Sequence, residues 1–232
     1  MTLLPPAYRW LDEVRPLPRM VEAARRLYGT IETPGPADNL LILDWAREAG
    51  LSKGYSSDAV PWCGLFMALV ARRAGKAAPA KPLWARSWSR FGVAAPQASL
   101  GDVLVFARAK GGGHVGLYVG EDDGAFHVLG GNQSDAVSIT RIAKTRCIAI
   151  RRPIYRVQPA SVVPVQLAAS GGSRPTRPDH TLHQLPQPPA LLRASFMEKR
   201  HGRSQTLVDI QGYLDRPDRQ RLGRGGCAWP AA

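Results

Sequence analysis

Cys63 and His114 are the two residues whose types and setting could carry covalent chemistry. Cys63 follows Pro61 and Trp62 at the start of an apolar segment. His114 comes about fifty residues later, after three glycines, at the start of a β-branched and aromatic run. A thiol beside an imidazole can act as a nucleophile with its general base in acyl transfer. The sequence therefore predicts a cysteine-dependent site built on this pair.

The segment after Cys63 has the spacing of an amphipathic helix. Its apolar residues recur at helical intervals, Arg72 and Arg73 fall in the last turn, and Gly75 ends it. Cys63 then lies in the first turn, where free backbone N–H groups and the helix dipole lower a thiol pKa. We expect Cys63 to favour the thiolate, and its own backbone N–H to help hold an oxyanion.

A base of this kind needs a polar partner that fixes its tautomer, and two residues compete for that role. His127 lies on the strand after His114, and Asn132 lies in the loop that leaves that strand. Alternation of side chains along a strand allows one of the two to reach His114, but it does not choose between them. Asp135 is a weaker third option.

The surrounding chain predicts helices first and strands afterwards. Helices are expected from Arg19 and from an N-cap at Asp38, with a short aromatic helix over residues 83–91 that carries Trp84, Trp88 and Phe91 on one face. Short strands are expected over residues 102–106, 114–120, 125–129, 136–142 and 147–151. This order predicts an α+β fold, with N-terminal helices packed on an antiparallel meander.

Composition divides the chain into three parts. Residues 1–16 contain several prolines and are expected to be an irregular lead-in, residues 17–156 to form the domain, and residues 157–232 to be a Pro/Gly/Arg-rich tail that is disordered or weakly helical. The charge is +8 in residues 1–156 (21 Lys and Arg, 13 Asp and Glu) and +5 in the remainder. A basic surface suits nucleic acid, anionic membranes or wall polymers, but no nucleic-acid-reading motif is present.

Three cysteines are too few and too scattered for a disulfide framework or a zinc site, so no metal or other cofactor is expected. No apolar run is long enough to span a membrane. The first ten residues lack the apolar block of a secretory signal. We therefore expect synthesis in the cytoplasm, and export, if any, by another route.

Several segments together resemble the CHAP and NlpC-type cysteine peptidases, which include small bacterial and prophage proteins. They are residues 61–63 (PWC), 85–88 (ARSW), 101–103 (GDV), 113–120 (GHVGLYVG) and 128–135 (VLGGNQSD), and the resemblance spans roughly residues 17–156. It implies a papain-like core in which Cys63 is the nucleophile and His114 the base. It favours Asn132 as the third residue over His127, although Gly130 stands where CHAP sequences often carry a glutamate.

The resemblance also implies a function, namely hydrolysis of an amide bond in peptidoglycan through a thioester, as in a phage-type endolysin. We expect a monomer that acts at the cell wall after holin-type or specialised release. Three other classes stay open: an inactive papain-like binding module, a toxin effector or acyltransferase of the same fold, and a nucleic-acid-binding protein driven by the basic tail.

Overall fold

The computed structural model describes residues 1–33, 38–108 and 111–168. Within them it has three α-helices, α1 (Arg19–Arg25), α2 (Leu40–Glu48) and α3 (Cys63–Arg73). Six strands form one antiparallel sheet: β1 (Val93–Ala94), β2 (Val103–Ala107), β3 (Gly113–Glu121), β4 (Ala125–Gly130), β5 (Ser138–Ala143) and β6 (Cys147–Arg152). In the described residues, 3-10 helices cover Pro6–Asp12, Ala85–Arg90 and Lys144–Arg146. The α+β class is confirmed.

Helix α3 is the centre of the core. Every residue from Cys63 to Ala71 is buried, and α1, α2 and β3 all pack against this helix. A helix that is apolar all round belongs inside a protein, so the expected amphipathic character is wrong. The expected ends are confirmed: Arg72 and Arg73 lie in the last turn, and Gly75 follows with a φ of 68°. No helix among the described residues is long and apolar enough to cross a membrane.

The sheet has the order β1-β6-β2-β3-β4-β5, so it is a meander only from β2 to β5. Strand β6 pairs with the outer edge of β2 instead of following β5. The short link before β6 contacts both the turn before β4 and the end of β2. Lys144 N–H donates to Gly124 O, and the Arg146 guanidinium donates to Ala107 O. Sequence periodicity finds strands but carries no information on this pairing.

The N-terminal segment is part of the core. Pro6–Asp12 forms a 3-10 helix, with proline in its first turn, where the missing N–H costs nothing. Leu4, Tyr8 and Leu11 are buried. The expectation of an irregular lead-in over residues 1–16 is therefore corrected, because these apolar side chains complete the core.

Residues just beyond the expected domain boundary at 156 also pack on the core. Val162, Val165 and Leu167 are buried. Glu121 N–H donates to Val165 O, and Leu167 N–H donates to Glu121 O, both at 2.8 Å. The folded part therefore extends to at least residue 168, and the prediction for the rest of the tail lies outside the described residues.

Two smaller expectations change for local reasons. Asn39, not Asp38, caps α2, because its side chain accepts from Leu41 N–H at 2.9 Å. The aromatic helix is the 3-10 helix Ala85–Arg90, in which residues three apart share a face. Trp88 and Phe91 are therefore buried together, while Trp84 is 71% exposed.

Candidate active site

The start of α3 lies against the start of β3, which brings Cys63 beside the residue that follows His114. The backbone N–H of Val115 lies close enough to the Cys63 sulfur to lower the pKa of the thiol, as do the N–H groups at the start of the helix. His114 precedes Val115 on β3, and both Cys63 and His114 are buried. The two residues singled out from the sequence therefore lie in the same region of the fold, where α3 packs on β3.

Burial sets the protonation state of Cys63. Desolvation raises the pKa of the thiol above its ordinary value, although the three N–H groups and the charge of Arg108 act to lower it. The expectation of a thiolate at the helix start is therefore corrected. A helix N-terminus lowers a thiol pKa where water also solvates the charge, whereas Cys63 is only 4% exposed.

Gln133 orients the imidazole of His114. Gln133 Oε1 lies 3.0 Å from His114 Nε2. The Gln133 amide nitrogen donates to Val128 O at 3.1 Å and to Ser138 O at 2.6 Å, which leaves only the oxygen to face His114. Since a carbonyl oxygen accepts, His114 Nε2 carries the hydrogen. The lone pair is then on Nδ1, which is the nitrogen that can take up a proton.

His114 is neutral near pH 7. Its pKa is lowered to about 4, first by burial and then by the positive charges of Arg108 and Arg146, with the Gln133 hydrogen bond acting in the opposite sense. Together with the raised pKa of Cys63, this gives a neutral thiol beside a neutral imidazole. Such a pair can transfer the thiol proton to Nδ1 as the sulfur attacks a carbonyl.

Asn132 contacts Trp62, the residue before helix α3, instead of His114. With its amide oriented to meet the surrounding donors, the Asn132 oxygen accepts from the Trp62 backbone N–H at 3.0 Å and from the Trp62 indole N–H at 3.3 Å. The expectation that Asn132 orients the base is thereby corrected. Its place is next to Cys63, where it holds the residue before the nucleophile.

His127 belongs to a separate buried network. His127 Nδ1 lies 2.7 Å from the Tyr8 hydroxyl, and His127 Nε2 lies 2.9 Å from Asp122 Oδ2. On the neighbouring strand His127 pairs with Gly120, six residues along β3 from His114. That separation is about 20 Å at a strand rise of about 3.3 Å per residue. His127 is therefore excluded as the partner of His114.

The loop that carries Gln133 has an unusual backbone. Asn132, Ser134 and Asp135 have φ values of 53°, 53° and 55°, a left-handed conformation that is uncommon without glycine. Such strain often accompanies functional loops. The loop is tied down from outside, because Glu32 N–H donates to Asp135 O at 2.7 Å. Asp135, the weaker candidate for the partner of His114, thus holds this loop in place through its backbone carbonyl.

Strand alternation could not single out Gln133, because regular alternation is not guaranteed past Gly130 and Gly131, and the resemblance favoured Asn132 instead. A Cβ added at Gly131 would lie 2.6 Å from Phe66 Cβ and 2.6 Å from the Trp62 ring. The glycine therefore lets the loop run directly over α3, and regular alternation ends there. The Gly-Gly pair itself was the signal, since it marks a close approach of backbone to its surroundings.

Comparisons of the sequence with known proteins found no relative. The chain matches no protein-family model, and no significant match was found among curated proteins. Within the described residues, no group of three or more His, Cys, Asp or Glu side chains could hold a metal ion. What the site can do is therefore inferred from its own residues.

Proposed function

We propose that this protein is a cysteine hydrolase that cleaves an amide bond of a peptidoglycan stem peptide through a thioester. The observation that supports it most is the fixed tautomer of His114, whose proton-accepting Nδ1 is not the nitrogen held by Gln133. The contact keeps the hydrogen on Nε2 and leaves Nδ1 as the nitrogen that can accept the thiol proton.

In this mechanism Cys63 and His114 react as a neutral pair. His114 Nδ1 takes the thiol proton while the sulfur forms a bond to the amide carbonyl carbon. The oxyanion that forms is met by the backbone N–H of Cys63, which has no acceptor inside the helix because it lies in the first turn of α3. The imidazolium then protonates the leaving amine, and the neutral imidazole activates water to hydrolyse the thioester.

Peptidoglycan is proposed as the substrate from the order of the sequence motifs and from charge. The net charge of +13 favours approach to an anionic wall polymer. On this proposal the protein acts at the cell wall, after release by a holin-type or specialised route. Acyl transfer to an acceptor other than water would use the same two residues, so identification of the product decides the reaction class.

The test is release of soluble muropeptides from purified cell walls, followed by mass spectrometry. We expect wild-type protein to release them under reducing conditions, and Cys63→Ala and His114→Ala to release none. Cys147→Ala is the matched control, because Cys147 is a partly buried cysteine on β6 and should be dispensable. No release by wild type, or release that survives Cys63→Ala, contradicts the proposal.

A further inference from the structure

Three arginines meet at the end of the β2–β3 pair where His114 lies. Arg108 Nη2 is 3.5 Å from His114 Nδ1. The Arg86 side chain runs over Gly113, since a Cβ added there would lie 3.0 Å from Arg86 Cγ. Arg146 donates to the carbonyl of Ala107, the residue that pairs with Gly113 in the sheet. The Arg108 and Arg146 guanidinium groups and the Arg86 side chain thus lie at the strand ends that carry His114.

These three charges are uncompensated by carboxylates within the described part of the chain. None of the three forms a salt bridge there, although Arg73, Arg141 and Arg152 each pair with a carboxylate at 2.7–2.8 Å. All three are exposed at the surface. Positive charges gathered around a buried imidazole repel one another and oppose its protonation, and a bound anion relieves both effects.

We propose that Arg108, flanked by Arg86 and Arg146, binds a carboxylate of the substrate beside the bond that Cys63 attacks. This inference rests on the proposed function, since a stem peptide carries free carboxylates. A planar carboxylate accepts two parallel N–H bonds from one guanidinium, a geometry that lysine or a single backbone N–H does not offer. The site therefore selects substrates that carry a negative charge near the scissile bond.

Binding of the carboxylate also changes the environment of His114. In the free protein the Arg108 guanidinium faces Nδ1, the atom that must accept the thiol proton. A carboxylate competes for the Arg108 N–H groups better than a neutral imidazole does, because a charged acceptor forms the stronger hydrogen bond. Arg108 then leaves Nδ1, and the site becomes competent only when a suitable substrate is in place.

The test measures binding with Cys63→Ala in the full chain, so that no turnover occurs. The probe is a pool of soluble muropeptides, compared with the same pool after its carboxylates are converted to amides with carbodiimide and ammonia. We expect calorimetry to give an affinity for the acid pool about tenfold or more higher than for the amide pool, the range for one charge-assisted contact. Arg108→Gln should abolish this difference, and Arg108→Lys should keep only part of it.

Arg72→Gln is the matched control. It removes the same charge from the last turn of α3, about 14 Å from Cys63 along the helix. It should keep the preference for the acid pool. Equal affinity for the two pools, no measurable binding of either, or equal effects of Arg108→Gln and Arg72→Gln each overturn the carboxylate site. The proposed function fails separately, if wild-type protein releases no muropeptides in a Cys63-dependent way.

Discussion

Gln133 Oε1 and His114 Nε2 are 3.0 Å apart, and this contact determines which nitrogen of the imidazole is the base. The Gln133 amide cannot turn round, because its nitrogen donates to two buried backbone carbonyls. The arrangement uses a neutral amide where many hydrolases use a carboxylate. It fixes the tautomer without adding a charge that would raise the pKa of His114.

Replacing Gln133 with leucine should therefore allow the imidazole hydrogen of His114 to occupy either Nδ1 or Nε2. We expect nitrogen chemical shifts of the imidazole to change from a single tautomer to a mixture, and kcat for muropeptide release to fall about a hundredfold, as when a general base is misplaced. Asn132→Ala is the comparison, because Asn132 contacts Trp62. Asn132→Ala should lower the free energy of unfolding and leave the tautomer of His114 unchanged. If the tautomer changed in Asn132→Ala but not in Gln133→Leu, Asn132 and not Gln133 would be the partner of His114.

The low pKa of His114 predicts how stability depends on pH. The value is about 4 in the folded protein against an ordinary 6.5. Between these values the unfolded chain binds a proton that the folded chain does not, so stability falls as the pH falls from 6.5 to 4. The total loss is about 3 kcal/mol, and it is complete below pH 4, where both states are protonated.

Urea unfolding of wild type and His114→Gln at several pH values measures this contribution. The variant should show a flatter dependence between pH 6.5 and 4, because it lacks the titrating group. The carboxyl of Asp122, whose pKa the Arg141 guanidinium holds well below its usual range, affects both proteins equally. Parallel curves for the two proteins would show that His114 titrates normally in the folded state.

Gly64 lets the start of α3 approach the chain before the 3-10 helix Ala85–Arg90. A Cβ on Gly64 would lie 2.4 Å from Leu83 O and 2.6 Å from Pro82 O, which are backbone atoms that cannot turn aside. Gly64→Ala should lower the free energy of unfolding by about 3 kcal/mol, the scale of overpacking in a core. It should also move Cys63, which directly precedes Gly64.

Gly54→Ala is the matched control for that substitution. A Cβ there would lie 3.6 Å from Leu83 Cδ1 and 3.9 Å from Leu51 O, both ordinary contacts. Chemical denaturation should therefore place Gly54→Ala within about 1 kcal/mol of wild type. If Gly64→Ala were equally mild, the close approach between α3 and the backbone at Leu83 would not exist in solution.

The sequence predicted those features that depend on neighbouring residues. The bounds of α3 follow from an apolar run ended by Arg72, Arg73 and Gly75. The strands β2 to β6 follow from short apolar runs between turn residues. Cys63 and His114 were found because each begins an element, where a side chain can reach a neighbouring element.

Features that depend on distant packing could not be predicted in this way. The pKa of Cys63 depends mainly on burial, which its position at the start of a helix does not reveal. The pairing of β6 with β2 joins strands that are far apart in the chain, which a local pattern does not specify. Gln133 escaped notice because the backbone at Gly131 leaves the strand pattern, and the left-handed φ of Asn132 next to it is invisible in the sequence.

The buried contact between Tyr8 and His127 gives the last prediction. His127 Nε2 faces the carboxylate of Asp122, so it carries the hydrogen and leaves Nδ1 to accept from the Tyr8 hydroxyl at 2.7 Å. Tyr8→Phe removes that donor and leaves a buried acceptor unsatisfied. The free energy of unfolding should fall by about 2 kcal/mol, because the contact holds the N-terminal 3-10 helix against β4.

Substitutions in the Tyr8–His127 network should lower stability without lowering activity. Since His127 lies about 20 Å from His114 along the sheet, Tyr8→Phe and His127→Gln should both keep kcat within about twofold of wild type at a temperature where the variants are folded. Gln133→Leu should lose activity under the same conditions. A fall in kcat for His127→Gln that matches Gln133→Leu would mean that the two histidines act together, contrary to the separation of their networks.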